Sequence, residues 1–85
     1  MKLVYFAFVR RALGVDEETV TPPANVRTVA ALIEWLKSRG PRYAEAFKNS
    51  SYLRAAVNQE HVSFDHAVGA DDEIALFPPV TGGAA

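Results

Sequence analysis

Glu73-Ile74-Ala75-Leu76-Phe77-Pro78-Pro79-Val80-Thr81-Gly82-Gly83 is the stretch on which the fold turns. Ile74 to Phe77 is a short apolar run with the length of a buried strand, and Pro78 and Pro79 end it because neither can donate to a ladder. Adjacent prolines favour an extended path, so Val80 and Thr81 are expected to stand off the body. Gly82 and Gly83 then accept any backbone conformation and pass where a side chain cannot. Small residues gather at chain ends without purpose, so the Gly-Gly pair alone decides nothing. The residues before it do.

Leu3 to Val9 reads as a first strand that is apolar on both alternate sets, with Leu3, Tyr5, Ala7 and Val9 on one face and Val4, Phe6 and Phe8 on the other. A chain of 85 residues has little with which to cover the second face, so an exposed apolar patch of the kind that binds partners is expected. Thr19-Val20-Thr21, stopped by Pro22-Pro23, gives a second strand and an opening hairpin with Gly14 in its loop. Thr28 caps a helix whose stripe Val29, Leu32, Ile33 and Leu36 falls at i, i+3, i+4 and i+7, and Gly40-Pro41 stops it. Trp35 lies beside the stripe, where packing is a far commoner role than ligand stacking. Tyr43, Ala46 and Phe47 give a short second helix within Arg42 to Lys48. Leu53 to Val57 and His61 to Phe64 are strands around Asn58-Gln59-Glu60, whose asparagine tolerates a left-handed turn conformation. Strand, strand, helix, short helix and three strands is the plan of an α+β protein of the β-grasp, or ubiquitin-like, type: a mixed sheet of about five strands packed on one main helix. Residues 1–80 form that single domain, and residues 81–85 are expected to be a flexible C-terminal tail.

Composition removes several function classes. A chain this short buries only roughly 60% of its unfolded surface, which leaves room for one modest core and argues against a two-site enzyme. With no cysteine there are no disulfides, thiolate metal sites or cysteine nucleophiles. Nine basic against ten acidic residues, unclustered, leave no nucleic-acid footprint. No apolar run approaches the ~20 residues that span a bilayer, and Arg10-Arg11 stands where a signal peptide would need small residues, so a cytoplasmic protein with no membrane partner is expected. His61 and His66, with Asp65, Asp71, Asp72 and Glu73 nearby, fail as a metal set: His61 sits on a strand and the acids crowd a solvated loop. Ser63, Asp65 and His66 are too close in sequence to be held as a catalytic relay.

Ala55-Ala56-Val57-Asn58-Gln59, Val62-Ser63-Phe64-Asp65-His66, Asp72-Glu73 and Phe77-Pro78-Pro79-Val80-Thr81-Gly82-Gly83 together resemble the small, sulfur-carrying subunit family of molybdopterin synthase. Lys2 to Arg10 is similar to that family's first strand, whereas Ser38 to Tyr52 matches it only loosely. The resemblance implies a carrier that is not an enzyme by itself. An ATP-dependent adenylating (E1-like) enzyme would activate the terminal carboxylate, a sulfur donor would displace AMP, and the thiocarboxylate would enter a pocket of the large subunit. It binds no cofactor of its own in that scheme; ATP is used by the activating partner. By position the sulfur-bearing residue is Gly83, with Gly82 as the clearance residue before it. Arg10 and Phe77 match family positions near the subunit interface, and Pro78, Pro79, Val80 and Thr81 lead into the partner; core packing is an equal alternative for Phe77.

Ala84-Ala85 follows Gly83, whereas the active family form ends at the second glycine, so either both alanines are removed or this form is a precursor or inactive as written. Thiamine-pathway sulfur carriers and ubiquitin-like protein modifiers share the Gly-Gly ending. Phe77-Pro78-Pro79-Val80-Thr81 is what favours molybdopterin.

Overall fold

The computed structural model describes residues 1–79; Val80, Thr81, Gly82, Gly83, Ala84 and Ala85 lie outside the described residues. The elements in chain order are β1 (Lys2–Tyr5), α1 (Ala7–Leu13), β2 (Glu17–Thr19), α2 (Val29–Lys37), α3 (Pro41–Ala46), a single 3₁₀ turn (Ser50–Tyr52), β3 (Arg54–Val57), β4 (Glu60–Val62) and β5 (Glu73–Phe77). They form one five-stranded sheet in the order β2-β1-β5-β3-β4. The last strand is therefore central: β5 runs parallel to β1, with Leu3 beside Ile74, and antiparallel to β3, with Ala55 beside Leu76. This is the mixed-sheet β-grasp expected from the sequence.

The opening differs from the expected hairpin. The chain leaves the sheet after Tyr5, turns through Ala7 at a left-handed φ of 52°, and coils into α1. An unbroken apolar run satisfies period 2 and period 3.6 alike, so Leu3 to Val9 reads as one strand when its second half is helical. Two cues favour the helix. Val9 and Leu13 are an i, i+4 pair that is buried, and Gly14 closes the last turn at φ 79° with its N–H on the Arg10 carbonyl at 2.8 Å. Strand β2 likewise lies earlier than Thr19-Val20-Thr21, at Glu17–Thr19; Val20 is buried just beyond it and donates its N–H to the Met1 carbonyl.

Elsewhere the expected elements stand with shifted bounds: β3 starts at Arg54 instead of Leu53, β4 runs Glu60–Val62 instead of His61–Phe64, and α3 runs Pro41–Ala46 instead of Arg42–Lys48. Thr28 caps α2 by accepting the Ala31 N–H at 3.1 Å, and Val29, Leu32, Ile33 and Leu36 all face the core. Gly40-Pro41 opens α3 instead of closing α2, which ends at Lys37. Pro41 suits that place because the first helical N–H has no partner to lose. Asn58 and Gln59, at φ 51° and 72°, make the two-residue turn that joins β3 to β4. Trp35 is half-buried, and the Arg39 guanidinium lies 5.2 Å over its ring.

One face of the sheet carries the core. Leu3, Tyr5, Ala55, Val57, Ile74 and Leu76 point into it and meet Val9, Leu32, Leu36, Phe47 and Leu53 from the helical side. A polar hub ties the layers together at one edge: Glu18 on β2 accepts the Tyr5 hydroxyl at 2.6 Å, the Tyr43 hydroxyl at 2.9 Å and the Arg39 guanidinium at 3.2 Å. Burial alone would raise the Glu18 carboxyl, but those three donors hold it below the usual carboxylate range. Burial, reinforced by the Glu18 carboxylate, pushes the Tyr5 and Tyr43 phenols up.

Candidate functional site

Strand β5 alternates. Ile74 and Leu76 are fully buried, while Ala75 and Phe77 face the other way and keep partial exposure. Val4, Ala75, Ala56 and His61 lie side by side across β1, β5, β3 and β4 on the sheet's other face, where Ala56 is buried, Val4 and Ala75 are half-buried and His61 is exposed. Phe77 sits at the end of this face, opposite Arg54, with its ring centroid 5.2 Å from that of His61. It is absent from the core cluster, so of the two roles the sequence left open for Phe77, packing in the core is the one its position does not support. Phe6 lies at the same end, 46% exposed, its N–H on the Leu76 carbonyl.

The start of β5 is fixed by a clamp. Asn58 donates its side-chain amide to Asp72 at 2.9 Å, accepts the Glu73 N–H at 3.0 Å, and gives its own backbone N–H to the Glu73 carbonyl. The Asn58 amide, with the Gly69 N–H, holds Asp72 below the usual carboxylate range. A strand pinned in this way and paired on both sides delivers its last residues at a defined point. Pro78 and Pro79, half-buried, continue from there and form one wall of a groove shared with α1 and α3.

Of the residues singled out in the sequence, Phe77, Pro78 and Pro79 are consecutive at this exit. Arg10 is on α1 instead of a strand, exposed beside Arg11, Gly14 and Asp16 in a separate shallow depression. Val80, Thr81, Gly82 and Gly83 lie outside the described residues. Val4, Ala56, Ala75 and His61 were not picked out as site residues, although the alternation of β5 marks Ala75 and Phe77 as sharing a face. Among the described residues no group of three or more histidine, aspartate or glutamate side chains is placed to hold a metal. Ser63 donates its hydroxyl to Asp65, and His66 meets Ser63 through a backbone bond, so these three residues form a turn and not a relay.

The chain has counterparts among known proteins. The Escherichia coli (strain K12) protein named molybdopterin synthase sulfur carrier subunit is 45% identical to this chain over 83 residues, covering 98% of this chain and 99% of that one. A solved Pyrococcus furiosus protein, provisionally described as molybdopterin converting factor, subunit 1, superposes with a TM-score of 0.73 at 36% identity, covering 93% of this chain and 95% of that one. The crystal structure of SAMP1 from Haloferax volcanii gives a TM-score of 0.72 at 25% identity, covering 98% of each. The ThiS family model matches residues 3–83, a span that runs from β1 through the second glycine, and the chain belongs to the ThiS family.

Proposed function

We propose that this chain is the sulfur carrier subunit of a molybdopterin synthase, working in the cytoplasm and delivering sulfur as a thiocarboxylate on Gly83. The carrying observation is the position of β5: the strand that ends in Phe77 is central in the sheet and clamped at its start, and the sequence continues from it through Pro78-Pro79 to Gly-Gly. The E. coli relative's name and its near full-length match support the pathway.

The chemistry needs no catalytic group from this chain. A carboxylate oxygen of Gly83 attacks the α-phosphorus of ATP on an adenylating enzyme, pyrophosphate leaves, and the acyl adenylate forms. Sulfide from a donor adds to the acyl carbon and expels AMP, which leaves a C-terminal thiocarboxylate. The large subunit then draws the tail into its pocket and supplies the acid and base groups. Gly82 contributes only clearance, because a residue without Cβ fits a channel that a side chain would block.

On this reading the working form ends at Gly83, because a carboxylate beyond Gly83 cannot be activated at Gly83. The test compares the 85-residue chain with one ended by a stop codon after Gly83, each incubated with the adenylating enzyme, ATP and a sulfur donor. Intact mass should show one oxygen exchanged for sulfur in the shortened chain alone, and only that chain should then yield molybdopterin with the large subunit. Thiocarboxylation of Ala85 with sulfur transfer at the same rate would refute this placement of the chemistry. Isopeptide linkage of Gly83 to lysines in a lysate, without rescue of molybdopterin synthesis, would identify a protein modifier instead.

A further inference from the structure

We infer that the groove between α1, α3 and the tail's root is a second docking surface for the large subunit, which fills it with apolar side chains; this rests on the proposed function. The groove holds about 720 Å³ and is walled by Phe8 and Ala12 of α1, Ala46 of α3, Tyr52 of the 3₁₀ turn, and Pro78 and Pro79. Its nearest charges, Lys48 and Glu45, pair with each other at 2.5 Å, so the rim asks for no charged occupant. Its chemistry selects aliphatic or aromatic side chains.

Three large apolar side chains are exposed among the described residues: Phe6, Val15 and Tyr52. Two of them stand at the end of β5. Phe6 bonds to Leu76 through its backbone, and Tyr52, 64% exposed, shares the groove with the two prolines. An aromatic ring left in water beside a ready apolar hollow is the arrangement of an unfilled interface.

Geometry and area identify the occupant. Val80 to Gly83 is four residues and spans at most about 14 Å when extended, so a protein that encloses Gly83 must press against the body around Pro79. A stable interface takes about 800 Å² from each partner. Four small residues offer a fraction of that, and the body must supply the rest. Lasting subunit associations are larger and more apolar than transient encounters. The sheet's other face lies on one side of the exit and the groove on the other, and a partner that holds this chain as a subunit covers both. An activating enzyme, which needs only a brief encounter, has less call on the groove.

Tyr52→Asp and Ala12→Arg test this, in the 85-residue chain and in the form ending at Gly83. Titration calorimetry against the purified large subunit should show affinity reduced ten-fold or more by each substitution, with the melting temperature of Tyr52→Asp unchanged. Ala12 is half-buried, so if Ala12→Arg unfolds, the exposed Tyr52 decides alone. Unchanged affinity for a folded Tyr52→Asp, with Phe77→Arg still weakening the complex, overturns the groove and leaves the proposed function standing. A parent chain that does not bind the large subunit overturns both. Loss confined to adenylation, or a parent dimer in light scattering that Tyr52→Asp dissolves, assigns the groove to the activating enzyme or to a second copy and also overturns the inference.

Discussion

The two faces of β5 carry residues of similar character to opposite ends. Ile74 and Leu76 are sealed in the core, whereas Ala75 and Phe77, one position along in each case, lie on the opposite face and keep partial exposure. Hydrophobicity alone does not tell a core residue from a docking residue. What covers it does. On the inner face burial is converted into folding free energy within the chain; on the outer face the same kind of surface stays partly exposed, and the proposed function assigns it to a partner.

Leu76→Ala should have the largest effect, a loss of about 2–5 kcal/mol of stability in urea unfolding, because it opens a cavity in a fully buried layer. An equal loss from Phe77→Ala would erase the distinction between the faces. Phe77→Arg should leave the melting curve close to the parent's and weaken large-subunit binding by about 2 kcal/mol or more, as loss of a hot spot does; global unfolding would place that ring in the core after all. Glu18→Gln concerns the inner side only and should cost about 1–2 kcal/mol at neutral pH, since charge-assisted hydrogen bonds become neutral ones. Its folded value lies below the ordinary 4.5, so the carboxylate stabilises fully above about that pH and its contribution fades as pH falls through the lower folded value. The variant's stability should therefore fall less steeply than the parent's in acid denaturation curves below that point. Gly82→Val should leave stability unchanged and abolish sulfur transfer, read as molybdopterin formed by the truncated chain. Equal transfer by the variant would mean that the tail meets no narrow channel.

Those faces were unequally legible in the sequence. Strand β5 was legible to the residue, because Pro78-Pro79 leaves no alternative end and the apolar run is too short for a helix. Helix α2 was legible from Thr28 and four spaced apolar residues. Helix α1 was not, since Phe6, Ala7, Phe8 and Val9 fit either period and only Val9, Leu13 and Gly14 break the tie. Misplacing α1 hid the groove as well. Phe8 and Ala12 become neighbours only on a helix, and Tyr52, Pro78 and Pro79 join them only through the tertiary fold. Glu18 was equally hidden: nothing local marks it as the meeting point of Tyr5 on β1, Tyr43 on α3 and Arg39 in the loop between α2 and α3.

The parallel pairing of the first strand with the last also sets an order of events in the life of the chain. Lys2 to Tyr5 finds its central neighbour only when Glu73 to Phe77 has been synthesised, and β3 waits for the same strand from the other side. Pairing across such a sequence separation is slow, because nearly the whole loop must close before any contact rewards it. A ribosome that stops short of Phe77 therefore leaves a chain with no centre to its sheet. Completion of the sheet thus requires that synthesis has reached Phe77, and a chain ended before it lacks the one strand with which both β1 and β3 pair.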